Sequence, residues 1–186
     1  RCAMTAVNES KTQTTDDLTG LQYGASSITV TIAKNVFVFN DDGHGVESTH
    51  SNSTLVNNGI TYGLSLSGFP AGVSFGGDNA TIRNNAGALI KGYDGIHVEG
   101  DGVAITNRTS EDQVLQNYGE ISGYRGVVLE GNGALLKIDN AASGIIKGTV
   151  GAISTVPDSG GRLSLTNKGT IDGKIALKGE NGNLND

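Results

Sequence analysis

The sequence is poor in several residue types, and each shortage excludes a class of protein. Its 186 residues include no tryptophan, one cysteine and two prolines. A lone cysteine cannot form a disulfide within the chain, so a disulfide-stapled scaffold is excluded. With so little proline, the 29 glycines do not indicate collagen or a proline-rich linker, and we interpret them as turn residues.

Basic residues are also scarce. The chain has thirteen lysines and arginines and nineteen acidic residues, which gives a net charge of -6. The basic residues are scattered along the sequence. Because a surface for nucleic acid or anionic lipid needs a basic excess to displace counterions, we expect no nucleic-acid partner. No apolar run approaches the roughly 18 residues of a membrane-spanning helix, so we expect no transmembrane segment. The start of the chain lacks the pattern of a secretory signal. We therefore expect either that the signal has been removed or that export uses a signal elsewhere.

One short motif recurs along the chain: an apolar residue, any residue, and then asparagine. Most copies are followed by a glycine and, a few residues later, by a second glycine. The copies at Asn57 and Asn84 lie 27 residues apart, as do those at Asn140 and Asn167. These glycine-bounded, alternating segments indicate units of three short strands and three turns, and the absence of helical periodicity excludes the helical repeats.

We therefore predict an all-β fold, a right-handed single-stranded parallel β-helix, which is a solenoid of about six three-strand rungs. One rung cannot bury its apolar side, but stacked rungs pair their backbones and enclose a continuous core. The solenoid should span 27–186 after a flexible polar lead or partial cap at 1–26, with Phe37 and Phe39 closing the N-terminal end of the core. The inward positions should be Ile82, Ile90, Ile96, Val98, Ile105, Ile121, Val127, Leu129, Ile138, Ile146, Leu165, Ile171, Ile175 and Leu177.

The recurring asparagines should share one corner of the solenoid, where their amides can bond to one another and to turn backbone along the stack. This predicted ladder comprises Asn57, Asn84, Asn117, Asn140 and Asn167. Asn107 also carries the motif, only ten residues before Asn117, which indicates an inserted loop near 108–116. Glu111 and Asp112 lie in its polar centre as candidate ligand-binding residues, and a tolerated surface loop is the alternative.

Two segments and one strand carry a family resemblance. They are Asn117-Tyr118-Gly119-Glu120-Ile121-Ser122-Gly123, Asn167-Lys168-Gly169-Thr170-Ile171-Asp172-Gly173 and Gly95-Ile96-His97-Val98-Glu99-Gly100. The pattern resembles the repeats of bacterial autotransporter passengers and large exported adhesins, and it is similar to the β-helical portions of exported RTX proteins. The likeness covers residues 28–186. It implies a secreted or cell-surface protein, from families that include adhesins, matrix proteins and polysaccharide-acting enzymes.

The calcium-binding motif of the RTX proteins, Gly-Gly-x-Gly-x-Asp, is not complete in this chain. Asp78 in Gly76-Gly77-Asp78-Asn79 and Asp101 in Gly100-Asp101-Gly102 only approximate it. Nonapeptide calcium sites recur every nine residues, whereas these segments lie a whole rung apart. We interpret them as turns and expect no cofactor, with calcium as the alternative.

The third strand of two successive rungs offers a candidate catalytic group. If Ile96 and Val98 point inward, His97 and Glu99 point outward, and Glu130 stacks one rung away at about 5 Å from Glu99. Retaining glycosidases use two carboxylates at about this separation, so polysaccharide cleavage is one interpretation. A solvated charged face is the other, and we favour a protein without enzymatic activity.

Two further sets of outward residues are candidates for binding. Tyr93-Asp94 and Tyr124-Arg125 occupy equivalent turns, where rings can stack to bind sugars or form a structural ladder. A mixed-charge column precedes the second glycine of four rungs: Lys91, Ser122, Lys147 and Asp172. Asn-x-Ser/Thr occurs at Asn8, Asn52, Asn79 and Asn107, which is expected by chance in a chain this rich in asparagine.

These features favour an extracellular structural or adhesive β-helix module of an exported bacterial surface or matrix protein. Such a module could associate end to end, so its partners would be further copies, adjacent repeats of a longer chain, glycans or a cell surface. The alternative is a polysaccharide-binding or polysaccharide-cleaving domain, a lyase or a hydrolase.

Overall fold

The structure is a computed structural model, which describes residues 5–13, 17–65, 70–94, 101–105, 113–129, 135–155 and 162–178. Within these ranges the chain forms β-strands and no helix. The strands are β1 Thr5–Val7, β2 Lys11–Gln13, β3 Asp17–Thr19, β4 Leu21–Tyr23, β5 Thr29–Ile32, β6 Phe37–Asn40, β7 Val46–Ser48, β8 Thr54–Asn57, β9 Ile60–Ser65, β10 Ala71–Phe75, β11 Thr81–Asn84, β12 Leu89–Asp94, β13 Asp101–Ile105, β14 Gln113–Asn117, β15 Glu120–Leu129, β16 Leu135–Asn140, β17 Ile145–Thr155, β18 Arg162–Asn167 and β19 Thr170–Lys178.

The strands stack in parallel on three faces, which confirms the predicted β-solenoid. The first face is a sheet of seven strands, β2, β5, β8, β11, β14, β16 and β18. A second sheet of twelve strands covers the other two faces, because β15, β17 and β19 are long enough to run around the corner between them. Each rung gives one strand to the seven-stranded sheet, and the expected count of about six rungs is slightly off.

The stack begins before residue 27, where the sequence pattern suggested its start. Strands β1, β2 and β3 pair in parallel with β4, β5 and β6, one rung later. Val7, Leu21 and Tyr23 are buried, so this short and polar stretch already has an inward side. Strand β14 also occupies the end of the expected loop near 108–116, whereas Asn107 and the first part of that loop lie outside the described residues.

The interior is a single apolar column running through the rungs. The predicted inward residues Ile82, Ile90, Ile121, Val127, Leu129, Ile138 and Ile146 are all buried. Leu165 and Ile171 are partly buried against the same core, and the side chains of Ile96, Val98, Ile105, Ile175 and Leu177 lie outside the described residues. Side chains alternate across each strand, so a buried residue at every second position follows from the period of the strand.

The asparagine ladder is confirmed at the corner between the first and second faces. Each side-chain amide donates to the side-chain oxygen of the asparagine one rung on. The N–O distances are 3.0 Å for Asn57 to Asn84, 3.0 Å for Asn84 to Asn117, 2.8 Å for Asn117 to Asn140 and 2.8 Å for Asn140 to Asn167. The first four asparagines are fully buried, whereas Asn167 is exposed.

The same amide groups also hold the backbone beyond the turn. The second proton of Asn84 goes to the carbonyl of Glu120 at 3.0 Å, and that of Asn117 goes to Ile145 at 3.2 Å. Both protons of each NH2 are therefore used, and a buried polar group without a partner is avoided. Gly119 follows the ladder because a Cβ there would meet the carbonyl oxygens of Ala88 and Asn85 at 2.5 Å.

Turns at this corner alternate between two lengths. Four residues separate the strands at 33–36, 85–88 and 141–144, whereas two residues suffice at 58–59, 118–119 and 168–169. In the long turns the last amide donates to the carbonyl three residues earlier, as Ala88 does to Asn85 at 3.0 Å. The corner therefore repeats every two rungs, and the short turn 58–59 lies in a recess between two long turns.

We expect Asn84→Ala to destabilise the protein by about 3 kcal/mol, because it leaves buried partners above and below without a bond. Asn167→Ala is the matched control at the exposed end of the same ladder, and it should cost less than about 1 kcal/mol. Denaturant unfolding monitored by circular dichroism gives both values. Equal losses at the two positions would contradict a ladder whose strength comes from burial.

Thr61 is the second position where a single change tests the core. Its side chain is fully buried between Val38 and Ile90, and its hydroxyl has no hydrogen-bond partner. Thr61→Val replaces that hydroxyl with a methyl group of similar shape, so it should stabilise the protein by about 1 kcal/mol. The control is Thr31→Val on an outward position, which should change the unfolding free energy by less than about 0.5 kcal/mol. No gain at Thr61 would show that the hydroxyl is satisfied in solution.

Candidate functional site

The predicted catalytic group and loop residues are not tested by the structure. His97, Glu99 and Glu130 lie outside the described residues, and so do Glu111 and Asp112. Their proposed roles stay predictions.

The two tyrosine turns fall at different kinds of position. Tyr93 and Asp94 end β12, where their backbone pairs with Leu64 and Ser65, and nothing is described of their side chains. Tyr124 lies in β15 at an irregularity in its pairing with β17, and its carbonyl accepts a bond from the Thr149 hydroxyl at 3.5 Å. The described pairing of β12 with β15 ends before these residues, so stacking of the two rings remains a prediction.

The two aspartates considered for calcium belong to different elements. The Asp78 carbonyl accepts a bond from the Asn52 amide at 2.7 Å within a stacked turn. The backbone of Asp101 pairs with Ala71 in β13. Within the described ranges, no cluster of three or more histidine, cysteine, aspartate or glutamate side chains could hold a metal ion.

An aromatic patch is the most distinctive feature of the outer surface, and we define it as Phe37, Phe39, Ile60 and Tyr62 on the second face. The rings of Phe37 and Phe39 are nearly parallel, with centroids 5.8 Å apart. Tyr62, one rung on, lies 5.6 Å from Phe39 and 6.4 Å from Phe37. Ile60 is 37% exposed, and among the described residues it is the one large hydrophobic side chain that is exposed. Contiguous apolar surface of this kind marks interaction sites.

The expectation that Phe37 and Phe39 close the end of the core is wrong. Val36 and Val38 are buried, so the alternation of the strand turns both phenylalanines outward. Their partners one rung on are Ile60 and Tyr62, which face outward for the same reason. The aromatic patch was missed because all four residues from Val36 to Phe39 are apolar, so polarity does not show which pair is inside.

A polar groove continues the aromatic patch along the second face. The predicted column of Lys91, Ser122, Lys147 and Asp172 is in register across four rungs and lines a cavity of about 500 Å³. The Lys91 ammonium lies 5.9 Å from the ring centroid of Tyr62, so it joins the groove to the aromatic patch. Lys147 pairs with Glu120 at 3.5 Å, but both side chains are well exposed and such a pair contributes little to stability.

The recess above the short turn 58–59 forms a second cavity, which we call the corner notch. Its volume is about 560 Å³, and Ile60 is shared with the aromatic patch. The long turns on either side supply its walls, with Lys34 and Asn35 on one side and Gly87 on the other. Amide groups are also present there, because Asn85 donates to the side-chain oxygen of Asn58 at 2.7 Å.

His44 is a half-buried titratable group at the corner between the second and third faces. Its Nδ1 accepts a bond from the backbone amide of Ala71 at 2.9 Å, which requires the neutral ring to carry its proton on Nε2. Burial lowers the pKa of His44 below its ordinary value of 6.5, and the nearby Glu47 carboxylate partly offsets this. The loop around His44 therefore depends on an uncharged imidazole.

Comparisons of the chain with protein-family models, with curated proteins and with solved structures give no match. None of the described residues belongs to a helix that is long and apolar enough to cross a membrane.

The protein should lose stability as the pH falls below about 6.5. The unfolded chain binds a proton on His44 more readily than the folded chain does, so protonation favours unfolding until the folded pKa is passed. His44→Asn keeps an acceptor for the Ala71 amide and removes the titration. Urea unfolding at a series of pH values should show a smaller slope in this window for the variant, and identical slopes would contradict a buried neutral His44.

Proposed function

We propose that this chain is a non-catalytic structural and adhesive module of an exported bacterial surface or matrix protein. The observation that carries the proposal is the outward-facing aromatic patch, in which three half-buried rings adjoin the exposed Ile60 on a stack of rungs. The stack holds Phe37, Phe39 and Tyr62 in fixed register, so the rings need little ordering when they meet a partner. On the seven-stranded sheet, by contrast, outward positions are mostly polar, as at Thr31, Arg83 and Asp139.

Repeats of this kind are suited to adhesion because the seven-stranded sheet keeps one register from rung to rung. The pairing between β11 and β14, and between β14 and β16, runs without a shift. Such quasi-one-dimensional stacks present extended surfaces for binding and can be lengthened by further repeats. Secretion, the resemblance to autotransporter and RTX repeats, and end-to-end association belong to this proposal, with other copies, glycans or a cell surface as partners.

A second candidate function is polysaccharide binding, which the junction of the aromatic patch with the polar groove favours. Sugars present apolar C–H faces together with hydroxyls, and the Tyr62 ring and the Lys91 ammonium supply both kinds of contact side by side. Cleavage by His97, Glu99 and Glu130 would add a reaction to the same module. A glycan array and a reducing-sugar assay, with Glu99→Gln and Glu130→Gln, separate binding from cleavage.

Beads coated with the protein should be retained on cells. The variant with Phe39→Ala and Tyr62→Ala should reduce the number of retained beads by at least about tenfold, because central aromatic residues dominate interfaces. The matched control carries Val56→Ala and Val114→Ala, which are outward and half-buried on the seven-stranded sheet. Melting curves establish that both variants fold. Retention of the coated beads no better than that of bare beads, or equal losses in the two variants, would end the proposal.

A further inference from the structure

The structure places the Asn-x-Ser/Thr motifs of the described residues at one corner of the solenoid. Asn8, Asn52 and Asn79 all lie between the third face and the seven-stranded sheet. Asn52 and Asn79 are stacked directly, because the Asn52 amide donates to the Asp78 carbonyl and Thr54 pairs with Thr81. The motifs at 52 and 79 therefore occupy the same register in successive rungs.

The acceptor side chains at this corner are open to solvent. Asn8, Asn52 and Asn79 are exposed, and the backbones of Asn52 and Asn79 are left-handed, with φ of 57° and 52°. The hydroxyl residue of each motif begins the strand that follows, or lies just before it: Ser10, Thr54 and Thr81. A group added to these amides would extend away from the stack and would displace no core side chain.

The asparagines at the other corner never have this motif. None of the ladder asparagines has serine or threonine two positions later, and neither do the turn residues Asn35, Asn58 and Asn85. A sugar on a ladder asparagine would remove a buried hydrogen bond and break the stack. The motif is therefore present where a bulky group is tolerated and missing where it would prevent folding.

Local geometry accounts for the asparagine at this corner, and for the hydroxyl of Ser10, which accepts a bond from the Thr29 backbone amide at 2.9 Å. A left-handed residue favours asparagine, yet Asn35, with φ of 67°, has Phe37 two positions later. Thr29, Thr54 and Thr81 hold one register in three successive rungs, and Val114 and Lys137 follow in later rungs, so this strand position accepts threonine without requiring it.

We propose that Asn52 and Asn79 are acceptors for N-linked sugar, with Asn8 as a third acceptor at the same corner. In the transfer, the side-chain amide nitrogen bonds to the anomeric carbon of a nucleotide-activated sugar. The bond from that carbon to the diphosphate oxygen breaks, the nucleoside diphosphate leaves, and the amide nitrogen gives a proton to a base of the transferase. The product is a row of sugars along one edge of the rod, about 5 Å apart between adjacent rungs.

Peptide mapping by mass spectrometry of the full chain, recovered from the cells that naturally make it, tests the proposal. We expect sugar on peptides that contain Asn52 and Asn79, and none on those that contain Asn57, Asn84 or Asn117. Unmodified Asn52 and Asn79 in that material would overturn the proposal.

Matched variants test whether the motif itself directs the addition of sugar. For this test the recombinant chain is made together with a transferase specific for Asn-x-Ser/Thr. Thr54→Val should remove the sugar from Asn52 only, whereas Thr54→Ser should retain it. Ser27→Asn creates the motif at the equivalent left-handed position, φ 61°, ahead of Thr29, so one further sugar should be added. Loss of the cooperative β-sheet transition in the modified chain, or equal loss of sugar in both Thr54 variants, would contradict an exposed, tolerant corner.

Discussion

The hydrogen bond from one asparagine amide to the next is the interaction on which the rest of the structure depends. Each ladder asparagine places a strongly polar amide in the interior, where an amide without a hydrogen bond is costly. That amide finds its partner only when the next rung is in register. Asn84 shows the arrangement, since it accepts from Asn57 and donates to Asn117 and to the backbone of Glu120. A slip of one residue would break every bond in the column, so the ladder specifies register as well as adding stability.

Fixed register explains the surface as well as the core. Once Asn57 and Asn84 are aligned, the short and long turns of the corner alternate in space, and the corner notch follows. The same alignment brings Phe39, Tyr62 and Lys91 into one outward column on the second face. The aromatic patch and the corner notch are therefore products of stacking, and no single rung contains them.

Much of the scaffold could be predicted from the sequence, because its two strongest signals are local. The recurring apolar-x-Asn motif located the ladder, and alternation identified core residues such as Ile90 and Ile121. The aromatic patch could not be predicted, because an apolar run such as Val36 to Phe39 has no polar side and its orientation depends on register with the next rung. The first rung was missed for a related reason: its strands of three residues are too short to show a period.

Exchange of the side-chain amide protons, measured by NMR, tests the ladder most directly. The NH2 groups of Asn57, Asn84, Asn117 and Asn140 should exchange with solvent far more slowly than that of the exposed Asn52, because each is buried and makes two hydrogen bonds. Similar and rapid exchange at all five asparagines would contradict the claim that a closed ladder of amides holds the rungs in register.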